Sequence, residues 1–183
     1  MALLRFLGMG NNAQAATAQP TPAAETATVR RIVAELEQVE PERRRFLAGF
    51  AYVLSRAAHA DLTVTVDETR LMEQIVVDIG KLPEAQAVLV VEIAKNQADL
   101  YGGTEDYLVT REFAAHASPE QRRSAVEACF AVGAVDHEIT AQEYAELTEI
   151  ALELGLSRDE LNEIRRQHRD QLAAIRLMRG LRE

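Results

Sequence analysis

Residues 60–80 read ADLTVTVDETRLMEQIVVDIG, and residues 135–155 read VDHEITAQEYAELTEIALELG. Laid over one another at an offset of 75 positions, the two stretches align without a gap. Five pairs are identical: Asp61 with Asp136, Thr65 with Thr140, Glu68 with Glu143, Ile75 with Ile150 and Gly80 with Gly155. Each match has a physical role. A threonine followed three residues later by a glutamate forms a capping box, in which two otherwise unpaired N–H groups at a helix start are satisfied reciprocally. Val64 and Ile139 stand just before the cap, where an apolar side chain staples the entering chain to the core. Apolar residues at helical spacing follow, and a glycine at the end suits a left-handed stop. Each stretch is therefore read as the bend and second helix of a helix–loop–helix unit. The fold expected is an all-α, single-domain bundle built from two pseudo-repeated units.

Working outward, the same periodicity continues from Thr28. Val29, Ile32, Val33 and Leu36 share one helix face, and Phe46, Phe50, Val53, Leu54 and Ala57 share another after Pro41, itself suited to a first helical position. Further helices are expected from Pro83 to the Gly102-Gly103 turn and from about Glu105 to His116. Boxes at Ser118–Gln121 and Ser157–Glu160 open two more, the last carrying Leu161, Ile164, Leu172, Ile175 and Met178 along one side. The count is about eight. Before this domain, residues 1–27 combine an apolar leader (Leu3, Leu4, Phe6, Leu7) with a small, polar linker containing two prolines. The helical domain spans 28–183.

Composition narrows the function. The net charge of -9 opposes nucleic-acid binding, since phosphate contacts need a cationic surface. Arginines gather near the end, at 165, 166, 169, 176, 179 and 182, where they complement the helix dipole or form a basic docking face. Arg43-Arg44-Arg45 reads as a solvated helix face, with anion contact as the functional alternative. The single cysteine, Cys129, lies in an apolar run and reads as a core residue. No apolar stretch reaches the roughly 20 residues that span a bilayer, and Arg5 interrupts the leader, so a cytoplasmic location is expected. Residues 1–9 could touch a membrane peripherally. Neither the residue motifs of serine hydrolases nor a phosphate-cradling glycine loop occurs, so the chain does not read as an enzyme.

Asp61 and Asp136 pose a question of electrostatics. Each follows a helix, where exposed carbonyls already carry negative charge. Hydrogen bonds from loop N–H groups would offset this, as would a bound cation held by Asp61 and Glu68 in one unit and Asp136, Glu138 and Glu143 in the other. Hard oxygen ligands favour calcium or magnesium. An EF-hand series is missing, and His59 and His137 are not mirrored between the units, which makes zinc less suitable. As a catalytic arrangement, paired carboxylates such as Asp67-Glu68 read instead as solvated first-turn residues.

The doubled pattern D-x-x-[IV]-T-x-x-E, with the closing run "ELGLSRDEL" at 153–161, resembles the TerB tellurite-resistance family, related to the N-terminal domain of certain membrane-bound J-domain co-chaperones. The resemblance covers roughly residues 45–165. It departs from the family at Leu62, where a charged or small polar residue is usual. It implies a stress-response module with proposed roles in metal sensing and membrane-associated complexes, binding a protein partner. A co-chaperone-type regulatory domain and a metal-dependent hydrolase are the alternatives. Oligomeric state is not legible.

Overall fold

A computed structural model describes residues 34, 36–60, 64–101, 105–135, 138–169 and 172. The described residues form seven helices: α1 (Pro41–Ala58), α2 (Val66–Gly80), α3 (Glu84–Tyr101), α4 (Asp106–His116), α5 (Pro119–Gly133), α6 (Ala141–Glu153) and α7 (Arg158–Gln167). The count is seven rather than about eight, because most of the helix expected from Thr28 lies outside the described residues. Leu36, at the end of that segment, is buried in the core.

Helix α1 is the axis of the bundle. Pro41 opens it behind an N-cap at Glu40, and every residue from Leu47 to Ala58 is buried. A helix apolar on all sides belongs at the centre of a domain. Around it pack α2, α3, α4, α5 and α6, while α7 lies against α5. The small side chains Ala48, Ala51, Ala57 and Ala58 let these neighbours approach, and Phe50, Val53 and Leu54 fill the space between them. Met72 and Val76 of α2, Val90 and Val91 of α3, and Phe130 and Val132 of α5 complete the core.

Cys129 sits in that core and donates weakly to the Val53 carbonyl at 3.7 Å. Burial pushes its thiol up to about 12. The segment Asn96–Asp99, polar in sequence, is only half surface: Gln97 and Ala98 are buried.

Of three expectations about helix ends, one holds and two are corrected. Gly155 is a left-handed stop (φ 80°), with the Leu156 N–H donating to the Ala151 carbonyl and the Gly155 N–H to that of Leu152, the double bond of a Schellman ending. Gly80 is not. It is the last residue of α2, and Lys81 takes the left-handed conformation instead (φ 49°). Glycine is required at 80 for space, since a Cβ there would stand 2.8 Å from Leu47 Cδ2. The last helix also ends sooner than its pattern suggests. It stops at Gln167, and Leu172 forms an isolated parallel bridge with Ile139 rather than continuing the helical face of Leu161 and Ile164. Ile175 and Met178 lie outside the described residues.

Candidate functional site

The site is built from two helix starts. At α2, Thr65 Oγ1 accepts from the Glu68 N–H at 3.2 Å, and Glu68 Oε2 accepts from the Thr65 N–H at 2.7 Å and from its hydroxyl at 2.7 Å. At α6, Thr140 Oγ1 accepts from the Glu143 N–H at 3.2 Å, and Glu143 Oε2 accepts from the Thr140 N–H at 2.6 Å. The sequence-predicted capping boxes are both present. What the sequence did not convey is burial. Glu68 is 6% exposed and Glu143 7%, so neither is a solvated first-turn acid. Buried carboxylates must be hydrogen-bonded, and the capped N–H groups meet that requirement. The stapling residues differ: Ile139 is fully buried and Val64 only half so, though it packs on the same core.

Asp61 and Asp136, the other two candidate ligands, lie outside the described residues, as does His137. Residues near them are described, and one hydrogen bond links the two neighbourhoods. Gln142, in the first turn of α6, donates from Nε2 to the Ala60 carbonyl at 2.6 Å, bridging 82 positions of sequence. The exit of α1, immediately before Asp61, is thus tied to the helix that follows the second loop. His59 Nδ1 is engaged by the Ser55 carbonyl at 2.8 Å. Among the described residues, no three His, Cys, Asp or Glu side chains gather as a metal cluster.

A second polar feature escaped the sequence reading. Arg56 of α1, with its side chain 5% exposed, reaches α6 and α4: Nε donates to Glu146 Oε1 at 2.5 Å, Nη1 to Glu153 Oε2 at 2.5 Å and to Thr110 Oγ1 at 3.1 Å, and Glu149 stands 3.9 Å from Nη2. Burial pulls the guanidinium pKa down, but the bonds to Glu153 and Glu146 more than offset this and leave it above its ordinary value. One signal could have found it: Glu146, Glu149 and Glu153 form a carboxylate stripe on one helix face, and an arginine interrupts the run FAYVLSRAA. Beside it, Tyr52 donates to Asp106 Oδ1 at 3.0 Å, and burial together with that carboxylate drives the phenol above its usual range.

Other described basic residues contact neighbouring elements. Arg43 donates to the Gly80 carbonyl, so the arginine triplet is not simply a solvated face, and Arg44 Nε is buried without a hydrogen-bond partner. Arg165 lies over the Tyr144 ring, 5.0 Å from its centroid. His168 rests on Phe130 at 5.5 Å, and burial lowers its pKa.

An all-helical bundle with two Thr/Glu-boxed helices, the second tied through Gln142 to the exit of α1, defines a class of small helical modules. Within that class the chain belongs to the tellurite resistance protein TerB family, whose family model matches residues 47–166. No curated protein and no solved structure matches it. Among the described residues, no helix is long and apolar enough to cross a membrane.

Proposed function

We propose that this protein is a non-catalytic, cytoplasmic module of the response to tellurite and related chemical stress. It acts by binding a divalent cation, or a protein partner, through paired acidic loops at Asp61 and Asp136. The observation that carries this reading is the Gln142–Ala60 hydrogen bond, which ties the residue before Asp61 to the first turn of the helix that follows the second loop. Membership of the TerB family supports the stress-response assignment. We take the two helix pairs as copies of one unit, because the caps coincide in residue type and in distance. The two aspartates are the principal ligands in this reading. Glu68 and Glu143 contribute less, since Oε2 of each is committed to its cap. Calcium or magnesium fits such oxygen donors better than zinc.

The test is a melting curve of the full chain in chelator, then with calcium, magnesium or zinc. A cation bound only by the folded form, at a hundredfold excess over its Kd, raises stability by roughly 2.7 kcal/mol. For a domain of this size that amounts to a Tm rise of roughly 5–10 °C. The rise is expected with calcium or magnesium and is lost in Asp61→Asn/Asp136→Asn. If no ion moves Tm, cation binding is refuted.

A further inference from the structure

Away from the acidic loops, the first half of α1, the end of α2, the end of α4 and the start of α5 enclose an open groove of about 600 Å³. Its floor is apolar. Phe46, half-buried, lies 5.8 Å from the Phe50 ring and 5.4 Å from that of Phe113, and Ile79 is 38% exposed. Its rim is acidic, with Glu40, Glu42 and Glu120. Arg43 also lines it, but donates its guanidinium to the Gly80 carbonyl.

We infer that this groove is the docking site of the chain's own leader, residues 3–7. Leu3, Leu4, Phe6 and Leu7 stand at i, i+3 and i+4 spacings, the signature of a helix that lays one apolar face into a groove. Arg5 is the one charged residue among the first ten, and its sign opposes that of the rim. Reach is ample. The described chain resumes continuously at Leu36, four residues before Glu40 of the rim, and the polar linker between the leader and Thr28, residues 8–27, has a root-mean-square span of about 25 Å. Tethering at this range gives an effective concentration of the order of millimolar. A leader with a dissociation constant of about 1 mM would thus be docked roughly half the time. Four large apolar side chains on a polar linker gain by burial.

The test places a nitroxide at the leader through Ala2→Cys in the otherwise unaltered full chain. Cys129 is fully buried and stays unlabelled in the folded protein. Docking predicts at least a twofold loss of amide signal intensity at Ile79, Glu120 and Gln121. The signals recover in Phe6→Glu/Leu7→Glu, which alters nothing in the folded domain, and in Ile79→Glu. Unchanged signals in the labelled protein overturn the proposal, including the case in which the leader binds phosphatidylglycerol vesicles instead. Broadening that appears equally when labelled protein is mixed with isotope-labelled, nitroxide-free protein assigns the groove to a second copy, and also overturns it.

Discussion

The pairs α1–α2 and α5–α6 begin their second helices alike and diverge in nearly everything that follows. Both use a threonine cap and a buried glutamate, with matching bonds. Yet Arg56 of the first pair corresponds to Ala131 of the second, while Glu146, Glu149 and Glu153 correspond to Leu71, Gln74 and Asp78. One pair supplies the buried cation and the other its carboxylates. In the first pair the equivalent residues are content with a local bond, Gln74 to Asp78 at 3.2 Å. A helix start depends on four consecutive residues, so the same solution serves in both places. A contact between the two pairs answers to the whole bundle, and there the pairs are complementary rather than alike.

The largest expected effect tests that complementarity. Arg56→Ala leaves Glu153, 11% exposed, and the more open Glu146 without their cation, and should cost about 3 kcal/mol in urea denaturation. Replacing Arg56, Glu146 and Glu153 together by Met, Leu and Leu should recover most of the loss, because an apolar set of similar volume avoids desolvating charge. A single-variant loss below about 1 kcal/mol would show that the two pairs are not joined through this arginine.

The helix ends sharpen the contrast at a smaller scale. Gly80→Ala drives a methyl against Leu47 and should cost about 1–2 kcal/mol. Gly155→Ala should cost a similar amount for a different reason, its left-handed backbone. Asparagine separates the two causes: it tolerates the left-handed region, so Gly155→Asn is nearly neutral while Gly80→Asn is worse than alanine. Lys81→Gly should stabilise by roughly 1 kcal/mol, since Lys81 bears the strain that Gly155 avoids.

At the caps the pairs should behave as equals. Thr65→Ala and Thr140→Ala should each lower stability by about 1 kcal/mol, and a difference greater than that between them would break the equivalence. The smallest effect belongs to His168, which has no counterpart role in the first pair. Its folded pKa lies below the ordinary 6.5, so the unfolded chain binds the proton more readily. Stability should therefore fall as pH drops below about 6.5, and His168→Phe should flatten that part of the profile.

These same residues show where sequence was informative. The boxes at 65–68, 118–121, 140–143 and 157–160 were legible, and all four are formed, because cap and partner lie three residues apart. The burial of Glu68 was not, since a first-turn acid looks the same in sequence whether it faces solvent or a neighbouring helix. Arg56 and its carboxylates are some 90 positions apart, and only packing brings them together. Gly80 misled because a glycine after an apolar run signals a left-handed stop or a close contact with equal force. Leu172 misled because helical spacing continues in the sequence past the point where the chain turns to meet Ile139. For the site, the two glutamates were found and the bridge through Gln142 was not, as a lone glutamine carries no pattern.

The burial of Cys129 has a practical consequence. Enclosed on every side and holding its proton far above neutral pH, the sulfur is inaccessible to alkylating agents until the helices part. The rate at which such a reagent consumes it is therefore a clock for the opening of α5 from α1, set into the native chain without any label.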